Sequence, residues 1–415
     1  MKYILTIVLL GFMNMNLLSQ ITLQQCCSLA RENYPLAKQY DLISLSEQYT
    51  LANIKSGNYP QLQLSGSVSY QSDATTLPFE IPNLDFHGQP KDQYRVMIEL
   101  RQNIWDGGEK ANNKRNASLV AEENKRKLDI SMHELEDRVN NIFFGIVLLD
   151  AQLNQNSLLE ENLRSSLSCV EALRNNGLVG QSEVDAVKVE ILGVRQKRAV
   201  LQSNRASYID MLSLLTGKKM DEKDNFVRPE MLASAEEVDF QRPELLWYDA
   251  RMRTVENEMQ KLKTLYMPRF SLFAQGGYGN PGLNMLEDKF RPYYIVGARL
   301  NWNISSLYTL KNSRKLLSEK AKSIDAERET FVVNNDFRKR EKEGMMQALE
   351  KQLCEDDEII RLRGNIRKAS EAKLSNGTIS ATDHIREINA ESQAKQVKDI
   401  HEIEYLMRIY EFMRL

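Results

Sequence analysis

Four stretches of the chain alternate between apolar and polar residues. Leu62, Leu64, Gly66, Val68 and Tyr70 are interleaved with Gln61, Gln63, Ser65, Ser67 and Ser69, and Phe270, Leu272, Ala274, Gly276 and Tyr278 with a smaller, more polar set. A partner stretch follows each. Tyr94, Val96, Ile98, Leu100 and Ile104 face off against Arg95, Glu99, Arg101 and Asn103, while Tyr294, Val296, Ala298, Leu300, Trp302 and Ile304 alternate with Gly297, Arg299, Asn301 and Asn303. A period of two over about ten residues predicts strands with two unlike faces, at 61–70, 94–104, 269–278 and 293–304. This alternation fits a barrel strand facing lipid and fits equally an antiparallel sheet over a soluble core. Aromatic residues near the strand ends, Tyr70, Tyr94, Trp105, Tyr278, Tyr293, Tyr294 and Trp302, stand where interfacial girdles occur and tip the balance toward the barrel. On that reading Leu62, Leu64, Val68, Val96, Ile98, Leu100, Phe270, Leu272, Val296 and Leu300 face lipid. Four strands cannot close a barrel, so a membrane-spanning version requires several chains.

Between the strand pairs the period changes to that of a helix. From Gly107 to about Arg174, and from about Ser306 to Leu374, the chain lacks proline and holds few glycines. Each stretch predicts a helix of roughly 100 Å at 1.5 Å per residue. Leu128, Met132, Leu135, Val139, Ile142, Ile146, Leu149 and Leu153 recur at alternating spacings of four and three, the seam of a coiled coil. Val184, Val187, Ile191, Val194, Leu201, Tyr208, Leu212 and Leu215 keep that register in the next helix, with Arg198 and Arg205 at two seam positions. The two helices are therefore expected to form an antiparallel hairpin that reverses at Asn176-Gly177. Ile385, Ile388, Ile400, Ile403, Met407 and Tyr410 mark the last helix of a second hairpin that reverses at Asn376-Gly377.

These elements occur twice. Pro35 and Pro60 bracket a helical segment ahead of the first strand, Pro243 and Pro268 bracket another ahead of the third, and both intervals are 25 residues; Gly177 and Gly377 lie 200 apart. Self-similarity on this scale points to two tandem repeats. The expected organisation is a first repeat over 20–216 with its hairpin tip at 175–181, a polar, irregular linker over 217–240, and a second repeat over 241–415 with its tip at 375–381.

Composition narrows the function. Charged residues make up 27% of the 415 positions with net charge −2. Their interspersion excludes a nucleic-acid footprint. The N-terminus MKYILTIVLLGFMNMNLLSQ has one lysine and an apolar run too short to span a bilayer, and reads as a signal peptide over 1–19, with cleavage expected after Ser19. No later apolar run is long enough for a transmembrane helix. Cys26, Cys27, Cys169 and Cys354 do not form a disulfide pattern. His87, His133, His384 and His401 lack metal-ligand spacing, and His133 is expected on a helix surface. Walker, dinucleotide, nucleophile-elbow and HExxH motifs are missing. The expectation is a non-enzyme without catalytic, cofactor-binding or metal residues.

The order helix, strand, loop, strand, long helix, Gly-turn, helix, performed twice behind an export signal, resembles the TolC-type outer-membrane efflux channel family. The likeness runs from ITLQQCCSLARENYPLA, similar to the family's opening helix, through QNIWDGGEK at 102–110 and the two Asn-Gly turns, to the final helix. It implies a mainly α fold with a transmembrane β portion. Long coiled-coil hairpins and four strands per chain would build a homotrimer with a twelve-stranded β-barrel and an α-helical barrel. The implied role is a passive conduit in the outer membrane of a Gram-negative bacterium, with a periplasmic helical extension in an efflux or type I secretion system. The implied partners are outer-membrane lipid, a periplasmic adaptor protein and an inner-membrane pump of RND or ABC type. Tip residues Asn176, Gly177, Leu178, Val179, Asn376, Gly377, Thr378 and Ile379 would meet the adaptor. The family also carries a gate carboxylate six residues after the turn glycine, matched by Glu183 and Asp383. Where it can have a further acid, this chain has Arg386. Carboxylates are also favoured in a first helical turn by the helix dipole alone. The alternative to the channel is a soluble exported coiled-coil scaffold or binding protein.

Overall fold

The computed structural model describes residues 20–73, 90–230, 242–285 and 287–415. The expected signal peptide, His87 and much of the first inter-strand loop lie outside these residues. In chain order the elements are β1 (Gln20–Ile21), α1 (Leu23–Asn33), a short 3₁₀ turn, α2 (Lys38–Ser56), β2 (Gln61–Tyr70), β3 (Asp92–Trp105), α3 (Glu109–Asn175), α4 (Gln181–Thr216), β4 (Asn225–Phe226), α5 (Pro243–Leu265), β5 (Arg269–Asn280), β6 (Arg291–Asn301), α6 (Ser306–Ser375) and α7 (Ala381–Phe412). The sequence helix, strand, strand, long helix, shorter helix thus appears twice. The residues fall into two compact units, one of Met1–Gln39, Leu128–Pro243 and Thr330–Leu415, the other of Tyr40–Lys127 and Glu244–Glu329.

The second unit holds one antiparallel sheet in the order β2-β3-β5-β6. Its register pairs Leu62 with Leu100, Leu64 with Ile98, Val96 with Tyr278, and Phe270 with Leu300. Directly opposed residues share a face, so the alternating apolar sets of all four strands merge into one surface. The alternation located β2 fully. It overextended the last strand: β6 ends at Asn301, and Trp302 and Ile304 belong to the turn into α6. There the Trp302 indole donates to the Tyr266 carbonyl at 2.9 Å and the Ile304 carbonyl accepts from the Leu307 amide at 3.1 Å, so local polar partners override the period. Tyr293 is a second correction. It pairs with Gly277 and lies on the face opposite Tyr294, its ring filling the space where a Cβ on Gly277 would fall within 2.4 Å of it. It therefore does not share a face with the exposed girdle residues.

The first unit contains the helical hairpins. In the first, α3 and α4 run antiparallel: the Asn156 amide donates to the Val194 carbonyl at 3.2 Å, and Lys188 lies 3.6 Å from Glu171. The predicted seam is buried from Leu128 to Val139 and at Ile146 and Leu149. Ile142 and Leu153 are only partly covered, while Phe143, Phe144 and Val147 are buried beside them. The buried stripe is broader than a two-helix seam because the ring of Phe143 meets Phe226 of β4 and that of Phe144 meets Tyr410 of α7. Ile209 and Leu406 likewise join the core.

Both seam arginines have partners. Glu160, buried on α3, accepts from Arg164 at 2.8 Å and from Arg195 and Arg198 at 3.1 Å each. Hydrogen bonds from Arg164 and then Arg195 hold its carboxyl below the usual carboxylate range. Arg205 binds Asp150 and donates to the carbonyls of Glu222 and Asp224, fastening the linker to the hairpin. That linker is not wholly irregular, since β4 pairs in parallel with β1. His133 is buried, contrary to its expected place on a helix surface. Its ring nitrogens lie 3.0 Å from Arg242 and 3.2 Å from Arg414, residues brought there from distant parts of the chain.

The α3–α4 hairpin closes on a glycine. A Cβ on Gly145 would sit 2.3 Å from the Tyr208 ring, whereas one on Gly193 would meet nothing within 4 Å. Gly145→Ala is expected to destabilise the protein by about 1–3 kcal/mol through overpacking, despite the helix preference for alanine. Gly193→Ala should stabilise it by up to about 1 kcal/mol. Thermal unfolding in detergent followed by circular dichroism checks the opposite signs.

Candidate functional site

The two hairpin tips share one backbone device. The amide of Gly177 donates to the Arg174 carbonyl at 2.9 Å and that of Leu178 to the Leu173 carbonyl at 3.0 Å; at the second tip Gly377 donates to Leu374 and Thr378 to Lys373, both at 2.9 Å. This is the Schellman pattern, which requires a left-handed residue just past the helix. Gly177 has φ +72° and Gly377 φ +66°. Around the turns, Asn176, Asn376 and Thr378 are exposed, and Leu178 is 64% exposed. Val179 and Ile379 instead pack against a core made by Leu173, Val184, Val187, Leu374, Ala381 and Ile385. The eight tip residues proposed from sequence therefore divide into a solvent-facing group and two that secure the turn from beneath.

That shared core joins the two tips. Glu183, in the first turn of α4, accepts a hydrogen bond at 2.7 Å from the amide of Ala381, the first residue of α7. A donor that the helix itself leaves unpaired at its start is thus satisfied by a carboxylate from the other hairpin. Further along, Asn389 donates to Glu190 at 3.3 Å and Lys197 to Gln396 at 3.2 Å. Asp383 is placed differently. Its amide donates to Ser380 Oγ at 3.1 Å, its carboxylate accepts from that hydroxyl at 2.8 Å, and Arg386 stands 3.7 Å away with both side chains half or more exposed. The two sequence-matched carboxylates are not equivalent within one chain. Glu183 ties tip to tip, while Asp383 holds the hydroxyl of Ser380, the cap of its own helix, and faces a cation.

Sequence reading gave His384 little weight. The structure buries it under the second tip, with Nδ1 2.7 Å from Ser370 Oγ. Burial lowers its pKa, with Glu371 opposing and Arg367 reinforcing the shift. The signal available in sequence was position: His384 falls on the apolar stripe with Ile388, one turn away.

In the second unit the ten residues expected to face lipid are all exposed on one face of the sheet, Leu64 by 73% and Val296 by 72%. The opposite face carries Arg95, Glu99, Arg101, Gln275 and Arg299. The Gln275 amide donates to Glu99 at 2.7 Å, and Arg299 lies over the Phe273 ring at 4.9 Å. The sheet is thus apolar on one exposed face and polar on the other, in the same chain as the glycine-turned helical hairpins. No helix among the described residues is long and apolar enough to cross a membrane. Among the same residues no group of three His, Cys, Asp or Glu side chains could hold a metal.

Residues 36–218 match the family model described as outer membrane efflux protein. No curated protein shows significant sequence similarity to the chain. Among solved structures, the outer-membrane channel OprN superposes with a TM-score of 0.70 at 12% identity, covering 94% of this chain and 89% of OprN. The outer membrane protein VceC of Vibrio cholerae gives 0.68 at 12% identity, with 94% and 96% covered. The CmeC outer membrane channel of Campylobacter jejuni gives 0.66 at 15%, with 94% and 84% covered. Residues 36–218 thus carry the sequence pattern of the outer membrane efflux proteins, and the fold over 94% of the chain is that of the matched outer-membrane channels.

Because His384 is held neutral by burial, the unfolded state binds more protons below about pH 6.5, and stability falls as pH drops through that range. Hydrogen exchange of the amides at 184–191 and 381–388 should therefore quicken several-fold between pH 7.5 and 5 beyond the intrinsic rate change. His384→Gln should abolish most of that excess.

Proposed function

We propose that the protein is one protomer of a trimeric outer-membrane channel, the passive exit duct of a tripartite efflux or secretion system. The observation that carries this reading is the sheet. Its apolar face is exposed along all four strands, and β2 and β6 each present an edge with no partner strand among the described residues. Open edges cannot persist in hydrocarbon, where every backbone polar group must be paired. Pairing β6 of one protomer with β2 of the next satisfies both edges, and three copies give twelve strands, a size compatible with a water-filled lumen. The apolar face then meets lipid and the polar face lines the lumen, so solutes pass without chemical change.

The hairpin tips take the periplasmic end in this reading. Exposed Leu178 and Thr378, with the Asn-Gly turns beside them, offer the contact surface for a periplasmic adaptor coupled to an inner-membrane pump of RND or ABC type. Asp383, half exposed at the tip, is the residue assigned to the periplasmic gate, with Arg386 moderating its charge. Glu183 supports the gate indirectly by holding Ala381.

Fractionated cells should hold the mature chain in the outer membrane, and detergent should extract it at about three times its monomer mass. A monomer in the soluble fraction would return the protein to the class of exported coiled-coil scaffolds. In planar bilayers Asp383→Ala should raise conductance or weaken block by divalent cations. Unchanged values for both would remove Asp383 from the gate.

A further inference from the structure

The polar face of the sheet is far from neutral. Register places Arg95, Arg101, Arg269, Arg291 and Arg299 on it with a single carboxylate, Glu99. Arg291 is paired with Glu287 and Arg269 with Glu109, both at 2.9 Å. Glu99 is shared between Gln275 at 2.7 Å and Arg299 at 3.9 Å. Where β3, β5 and β6 meet the start of α3, a recess of about 280 Å³ is lined by Arg101, Arg269, Arg299 and Lys110, with the side chains of Asn103 and Ser271 among them.

The acids around this recess are already engaged. Asp106 accepts from the amides of Gly108 and Lys110, both at 3.0 Å, and so caps α3, while Glu109 holds Arg269. Lys110 spends its ammonium on the Gly57 carbonyl at 2.7 Å and on Asn58 at 3.0 Å. Arg101 forms no ion pair among the described residues, and Arg299 has only the long contact to Glu99 and its stacking on Phe273. Of the arginines lining the recess, these two have no close carboxylate partner. A planar guanidinium fits carboxylate and phosphate oxygens through paired N–H donors, and rings of arginine select anions in narrow pores.

We propose that Arg101 and Arg299 form an oxyanion-binding subsite on the channel wall and, repeated around the trimer, make the barrel favour solutes bearing a carboxylate or phosphate. This rests on the channel reading above, in which the polar face lines the lumen. The one strand carboxylate on this face among the described residues, Glu99, stands beside Arg299, which makes the preference adjustable in both directions.

Reversal potentials of the purified trimer in a KCl gradient measure the preference, at low ionic strength so that screening does not mask it. The wild-type chloride-to-potassium permeability ratio should exceed one. It should fall several-fold in the R101Q/R299Q double variant and rise in Glu99→Gln. Inorganic phosphate added to the bath should reduce the chloride current of the wild type and leave that of R101Q/R299Q unaffected. A conducting channel whose ratio lies below one, or is unmoved in both variants, overturns the subsite and leaves the channel reading standing. A trimer that never conducts overturns both.

Discussion

On the proposed channel reading, the need to pair every backbone polar group inside a membrane governs the rest of this structure. Strands β2 and β6 are ordinary in length and composition, but each leaves an unpaired ladder of N–H and C=O groups along a sheet whose exposed face is apolar. In water that combination would aggregate. In lipid it is tolerated only when the ladder closes on itself, and one chain has too few strands to do so. In the proposed channel, assembly of several chains is thus a consequence of strand count. The short side chains Ala274, Gly276 and Ala298 sit among the larger apolar residues of the same face, so the surface offered to lipid is continuous across the strands.

The helical part answers a different constraint. A long hairpin must keep two helices in register and end without leaving donors and acceptors bare. Register is fixed by apolar stripes and by embedded charges: Glu160 gathers three arginines, and Arg205 ties Asp150 to the linker carbonyls. Removing either acid would strand arginines at a partly dry interface, where an unpaired charge costs far more than a surface pair contributes. The ends are handled by the two Schellman turns and by Glu183, which serves the helix start of the other hairpin. The tip is consequently a single packed object made by both halves of the chain.

Function follows from what each region leaves unsatisfied. Arginines on the polar strand face exceed the acids available to them, so in the proposed channel the wall has charge to offer a passing solute. Exposed Leu178 and Thr378 at the tips leave contact surface for a partner. His384 is buried beneath the second tip, and that burial lowers the pKa of its imidazole.

Much of this was legible in the sequence by itself. Period-two alternation located β2 fully and the other long strands within three residues at either end, since a half-buried strand must alternate. The absence of proline and the seam at Leu128–Val139 gave the long helices, and the Asn-Gly pairs gave their reversals, because only a residue tolerant of positive φ can close a Schellman turn. Those features are local, and local pattern encodes them. Tertiary structure decided the rest. The burial of His133 depends on Arg242 and Arg414, more than a hundred residues away, and that of Phe143 on the docking of Phe226. Glu183 looked like the twin of Asp383 by spacing, yet its role is set by an amide 198 positions further on. Tyr293 alternates with Tyr294 as any strand neighbours do, but that its ring lies over Gly277 was decided by the pairing of β5 with β6. Such partners are chosen by distance in space, which sequence separation does not report.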